Sequence, residues 1–178
     1  MYLRKMFNKI SDELKTRARK IKLIGFDVDG VFTDGSIFIN ESGETFKKFH
    51  SLDGYGLRLA KQFGIEICII SARKSAHVHK RFEGFNFEDT VFTGIENKLS
   101  KLEEIAQEKN ISLEEIAYIG DDALDIPILE KAGFAACPPA AHYSVLEHIH
   151  YITEREGGHG AAREFCDLIL YCQGKIPG

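Results

Sequence analysis

Short apolar runs rich in β-branched and aromatic residues recur along the chain at 21–26, 65–70, 89–92, 116–119 and 133–136. Between them, apolar residues return at helical spacing over about 53–63, 74–82, 97–109, 123–132 and 160–172. Apolar strands alternating with amphipathic helices predict βαβ units in a parallel sheet, connected right-handedly with helices on both faces. One stretch breaks the rhythm. From Ser36 to Phe49, "SIFINESGETFKKF", apolar and polar residues alternate around Glu41-Ser42-Gly43, which predicts a β-hairpin at 36–49. At the start, Leu3, Met6, Phe7, Ile10 and Leu14 share one stripe, so 1–20 is expected to be an amphipathic helix rather than a signal core. No repeat or linker divides the 178 residues, and a single domain spanning 1–178 is expected, ending in a short tail at 173–178.

Composition narrows this picture. Hydrophobic residues make up 44% and charged residues 28%, as in an ordinary soluble globular chain. A net charge of −4 argues against nucleic acid as the main partner, and the cations between Arg4 and Lys22 read as a solvated helix face. No apolar run approaches the ~18 residues of a membrane span. Cys68, Cys137, Cys166 and Cys172 are irregularly spaced, so reduced thiols and a cytoplasmic location are expected in place of a zinc site or disulfide framework.

The chemistry gathers at the strand ends. Ligands of open parallel sheets bind beyond the carboxyl ends of the strands. Asp27 and Asp29 follow the first run, Ser71 the second, and Asp121, Asp122 and Asp125 the fourth, while Lys98 opens the helix after the third. Several carboxylates in one cleft need a compensating cation. Oxygen donors without patterned Cys or His favour Mg²⁺. An EF-hand is excluded, because counting from Asp27 puts Phe32 at position six and Phe38 at position twelve. No G-x-x-x-x-G-K-[ST] loop is present, which disfavours that type of NTPase and leaves a carboxylate nucleophile forming an aspartyl-phosphate. Asp27 and Asp29 point the same way in an extended segment, so one can attack phosphorus while the other moves protons. Ser71 can donate to the phosphoryl oxygens, and Lys98 can offset their charge. Asp34 reads as a turn residue.

"DVDGVFTDG", "IISAR", Asn97-Lys98 and "GDDALD" resemble, in order, the four motifs of the haloacid dehalogenase superfamily of phosphatases. The resemblance implies a Rossmann-like three-layer α/β/α fold with a doubly wound parallel sheet. It makes Asp27 the nucleophile and Asp29 the acid/base, whose backbone carbonyl also meets the metal. Asp121 becomes a direct Mg²⁺ ligand, with Asp122 and Asp125 behind it. Members of the superfamily usually carry a cap domain. Here 43 residues lie between Asp27 and Ser71, and 22 between Lys98 and Asp121, so no cap is expected and a second subunit would cover the site.

A narrower resemblance is to the capless phosphatases that act on 3-deoxy-manno-octulosonate 8-phosphate, on the route to lipopolysaccharide. It rests on "DGYG" at 53–56, Arg73, Arg81 and "GGHGAAREFCDLILYCQGK" at 157–175. It implies a homotetramer joined through the hairpins, with a tail that reaches a neighbouring site. The substrate-contacting set it implies is Asp29, His50, Ser51, Leu52, Asp53, Gly54, Arg73, Arg81 and Lys98. A sugar acid phosphate carries two anionic groups, and Arg suits both. Three positions depart from that pattern: Leu52 and His159 stand where the family has Arg, and Ser71-Ala72 where it has Thr-Gly. Two of these remove a cation, and "GIENK" and "GGHGA" also resemble domains related to nonulosonate sugars. A nonulosonate 9-phosphate is therefore the alternative substrate. His159 and Arg163 are further candidates for substrate contact. A second class, the phospho-accepting receiver module, would place its accepting Asp after a middle strand. Here "IEICII" is followed by Ser71 and the acidic pair comes late, which favours the enzyme. A catalytically silent homologue is disfavoured because every catalytic position is filled.

Overall fold

Six strands run parallel in the computed structural model, which describes residues 7, 10–43, 45–85 and 87–176. In chain order they are β1 (Leu23–Phe26), β4 (Glu66–Ser71), β5 (Val91–Thr93), β6 (Ile116–Ile119), β7 (Phe134–Cys137) and β8 (Tyr151–Ile152). Their spatial order is β5-β4-β1-β6-β7-β8. The chain therefore winds outward from β1 in both directions, and the reversal falls between β1 and β6, where a ligand crevice forms in open sheets. A separate antiparallel pair, β2 (Phe38–Ile39) and β3 (Thr45–Phe46), follows β1.

Period-two geometry explains why these runs are apolar throughout. Along β4, Ile67 and Ile69 face one core while Cys68 and Ile70 face the other. The first core takes α1 (Asp12–Arg19), α2 (Ser51–Gln62), α3 (Ala76–Phe82) and α6 (Ala161–Cys172), with Leu57, Val78 and Phe165 fully buried. The second takes α4 (Lys98–Lys109) and α5 (Ile126–Leu129) through Leu102, Ile105 and Ile128. Gly25 on β1 faces this second core because a Cβ there would lie 2.6 Å from the Tyr118 ring.

Four expectations change in the structure. The helix expected over 1–20 is not continuous: Ser11 is extended and its hydroxyl accepts the Leu14 N–H, so α1 starts at Asp12. Phe7 and Ile10 are buried, while Leu3 and Met6 lie outside the described residues. The helix expected over 123–132 shrinks to a 3-10 turn, Ala123–Asp125, followed by α5. There Asp122 and Asp125 cap one another, and Pro127 sits in the first turn of α5. Strand β8 escaped the periodicity reading because two residues carry no period. The hairpin exists, and among the described residues Phe38–Phe46 and Ile39–Thr45 pair, while its apolar side chains Phe38, Ile39 and Phe46 are 51%, 68% and 57% exposed. Among the described residues no cap domain lies over the carboxyl ends of the strands, and no helix is long and apolar enough to cross a membrane.

Candidate active site

The first acidic pair is placed by the ladder itself. The Asp27 N–H donates to Ile119 O at 3.0 Å, carrying β1–β6 pairing one residue past the strand. The chain then turns sharply, with Val28 O accepting from the N–H groups of Val31, Phe32 and Thr33. Gly30 makes the turn possible. Its φ is +84°, and a Cβ there would run into the Asp121 carboxylate. Asp34 Oδ1 accepts from the Ser36 N–H at 3.0 Å, which holds its carboxyl below the usual range. It is the turn residue its position implied.

The second acidic group comes from the β6 end. Gly120 leaves room for Asp125 to fold back, since a Cβ there would lie 2.6 Å from the Asp125 Cβ. Asp125 Oδ2 accepts the N–H groups of Asp121 and Asp122 at 3.1 and 3.4 Å. Its Oδ1 accepts Tyr118 Oη at 3.0 Å and Lys98 Nζ at 2.7 Å. The same ammonium reaches Asp27 Oδ1 at 2.7 Å. Lys98 is delivered by the start of α4, where the Asn97 side chain accepts the Ser100 N–H.

Asp27, Asp121 and Asp125 each bring one carboxylate oxygen within 4.8 Å of the others. Lys98 is the cation bonded among them, and it is 4% exposed. Burial and then Asp125 hold the Asp27 carboxyl well above the usual range, against the pull of Lys98. Burial and Asp125 likewise push Asp121 up to about 6. Burial alone would lower Lys98, but Asp27 and Asp125 raise it and keep it charged. Three carboxylates thus face one ammonium, and their chemistry is that of a hard-cation site. Because every Asp125 oxygen is already engaged by the protein, the donors left for a metal are the Asp27 and Asp121 carboxylates. The residues fit a divalent ion.

These groups line a cavity of about 240 Å³ that also includes Asp29, Ser71, Arg73, Asp122 and Leu124. Ser71 is buried at the end of β4, and its hydroxyl donates to Arg73 O at 3.3 Å. Asp29 is paired with Lys47, the residue that follows β3 of the hairpin. Lys47 was missed by sequence reasoning. Its only signal was a charge at the hairpin's return, which strand periodicity reads as solvent-facing.

The other sequence candidates lie apart. His50 caps α2, its Nδ1 accepting the Leu52 N–H, and Ser51 and Leu52 are exposed on the first turn. Asp53 is not among the residues lining the cavity. Its Oδ1 accepts the Arg163 N–H at 2.9 Å, so it caps α6 from another helix, and its Oδ2 has no hydrogen-bond partner among the described residues. Gly54 is tight against Arg81, whose guanidinium lies 4.9 Å from the Phe85 ring centroid. The Arg163 side chain pairs with Asp167 and covers the Tyr55 ring. His159 Nδ1 lies 3.1 Å from Gly157 O. The cavity therefore gathers Asp27, Asp29, Ser71, Arg73, Lys98, Asp121, Asp122 and Asp125, but not His50–Gly54 or Arg81. A wider hollow of about 750 Å³ at the amino ends of the strands mixes Asp12, Glu13, Arg17, Lys20 and Glu114 without convergence on one group.

Comparison with known proteins places this geometry. The family model for haloacid dehalogenase-like hydrolases matches residues 94–165. A 3-deoxy-D-manno-octulosonate 8-phosphate phosphatase from Salmonella typhi is 38% identical over 170 residues, covering 96% of this chain and 90% of the relative. The solved structure of the phosphatase of that name from Yersinia pestis superposes with a TM-score of 0.91 at 36% identity, covering 95% of this chain and 91% of that one. One from Moraxella catarrhalis, in complex with magnesium ion, phosphate ion and KDO, superposes with a TM-score of 0.88 at 38% identity, covering 92% and 93%.

Proposed function

The chain belongs to the haloacid dehalogenase-like hydrolases, among their phosphatases, and from that premise we propose that it is a Mg²⁺-dependent phosphatase hydrolysing 3-deoxy-D-manno-octulosonate 8-phosphate. The observation that carries the reading is the buried set Asp27, Asp121 and Asp125 held around Lys98 at the β1–β6 reversal. Likeness to phosphatases of that name over 90% or more of their length supports the substrate.

The chain's own groups divide the work. Lys98 and the β1–β6 ladder fix Asp27, with Oδ1 held by the ammonium. Attack on phosphorus falls to the other oxygen and gives an aspartyl-phosphate, as the bond to the sugar oxygen breaks. Asp29 protonates that leaving oxygen. As a carboxylate it then takes a proton from the water that attacks the aspartyl-phosphate, which regenerates Asp27 and releases phosphate. Ser71 turns its hydroxyl to a phosphoryl oxygen. A bound Mg²⁺, held by Asp27, Asp121 and the Asp29 carbonyl, supplies charge neutralisation for the phosphoryl group.

The cavity's size bears on the sugar. About 240 Å³ suits a phosphoryl group rather than a whole sugar acid. The sugar therefore lies across the rim, where Arg73 offers a cation for its carboxylate. A rim of that kind needs a cover, and the exposed apolar hairpin is the surface through which a homotetramer supplies one. In such an assembly His50, Ser51 and Leu52 reach substrate across the subunit boundary. Asp53, Gly54 and Arg81 support that segment from behind. Lys175 Nζ donates to Phe63 O at the amino end of the sheet, away from this chain's own cavity.

The test is phosphate release from the eight-carbon substrate and a nonulosonate 9-phosphate, with Mg²⁺ or EDTA and with Asp27→Asn as control. The expected result is release from the octulosonate ester, lost with EDTA and in the Asp27→Asn variant. Preference for the nine-carbon ester would transfer the assignment to it. Turnover by the Asp27→Asn variant would remove the covalent mechanism.

A further inference from the structure

The loop between β8 and α6 has no part in the chemistry above, yet it is pressed against the loop that carries Asp27 and Asp29. The Gly158 N–H donates to Val31 O at 3.0 Å. A Cβ at Gly157 would overlap the Gly30 carbonyl and lie 2.8 Å from Thr33 O, and one at Gly158 would lie 2.6 Å from Asp34 N. Backbone meets backbone here with no space for a side chain, and Gly30 in turn sits against the Asp121 carboxylate. The loop is tied down from the other side by Glu164, on the first turn of α6 and 3% exposed. Glu164 Oε1 accepts Tyr151 Oη at 2.7 Å and the Glu154 N–H at 2.8 Å, and Oε2 accepts the Arg155 N–H at 2.9 Å. A buried carboxylate is costly unless it is fully bonded. Two of its three partners are loop amides, so carboxylate and loop fix one another.

We propose that Glu164 is a positioning residue for the catalytic aspartates: it tethers residues 153–158, and the Gly157–Gly158 backbone sets how close the Asp27–Asp29 loop lies to Asp121. The inference rests on the reading of Asp27 as nucleophile. It places a determinant of rate on a side chain that does not line the cavity.

The test is Glu164→Gln. Glutamine keeps an oxygen for Tyr151 and Glu154, but turns its NH₂ toward the Arg155 N–H, donor against donor, and releases that tether. A shift of about 1 Å in a reacting group can cost on the order of a hundredfold in rate. Partial release is therefore expected to lower kcat by about tenfold or more, with KM changed by less than about twofold. Tyr151→Phe removes a bond to the same carboxylate without freeing a loop amide, and its kcat is expected within about twofold of the parent at a similar loss in Tm. Hydrogen exchange on the folded proteins should show faster exchange at Gly158 and residues 31–34 in Glu164→Gln alone. Equal kcat losses in the two variants, a full kcat in Glu164→Gln, or unchanged exchange at Gly158 would each overturn the proposal. If the parent protein releases phosphate from no ester, the functional reading fails on its own. Exchange then decides the tether, with unchanged protection refuting it and loss confined to 31–34 and 154–158 sustaining it.

Discussion

Asp53 offers the sharpest quantitative test. Its carboxyl is 2% exposed, with one oxygen bonded to the Arg163 N–H and the other without a hydrogen-bond partner among the described residues. Burial pushes it up from 3.8 to about 6, although the Arg163 N–H, His50, Arg81 and Arg155 all favour its charged form. A carboxyl raised in the folded state holds its proton after the unfolded chain has lost its own. Stability therefore falls as pH rises from about 4 to about 6, and levels off above. The slope is about 1.4 kcal/mol per pH unit, so the whole window is worth about 3 kcal/mol. Asp53→Asn is isosteric and does not titrate. Its oxygen still accepts the Arg163 N–H, while its NH₂ inherits the unpartnered position at about 1–3 kcal/mol. Urea denaturation of both proteins from pH 4 to pH 8 should show the variant gaining on the parent by about 3 kcal/mol across the window. At pH 7.5 the variant should therefore lie between parity with the parent and about 2 kcal/mol above it. A constant difference between them at every pH would refute the reading of Asp53 as a buried, titrating cap of α6.

Three further outcomes follow from the site. Mg²⁺ at a hundred times its dissociation constant should stabilise the parent by about 2.7 kcal/mol, read as a rise in Tm, and should lose most of that effect in Asp121→Asn. Gly30→Ala places a Cβ at φ +84° against the Asp121 carboxylate. It should cost about 1–3 kcal/mol in urea denaturation and lower kcat by more than the stability loss explains. Phe38→Asp with Phe46→Asp should leave a folded monomer by light scattering. That variant should lose kcat/KM on a sugar acid phosphate but little on a small aryl phosphate, whereas a parent that is already monomeric would remove the shared-cover reading.

Much of the site was legible in the chain because its chemistry sits at strand ends. Asp27, Ser71 and Asp121 each close an apolar run, and a parallel sheet brings such ends to one edge whatever the loops do. Lys98 was legible for a related reason, at the start of the helix that follows a strand. Lys47 was not: its partner is Asp29, and no periodicity reports which way a hairpin folds over a crevice. Asp53 shows the opposite failure. Its neighbourhood in the sequence reads as substrate contact, while its carboxylate is committed to α6, 110 positions away.

The sequence alone determined the layered sheet, the order of its strands' contributions to one edge, and the carboxylates that meet there. These depend on local period and on where each strand stops. The tertiary structure decided which carboxylates stay available. Asp125 is consumed by Lys98, Tyr118 and two amides, and the Gly157–Gly158 backbone packs against the loop that carries Asp27 and Asp29. Those assignments are set by contacts between segments far apart in the chain, at distances where a single Cβ is too much. Such contacts leave no local signature.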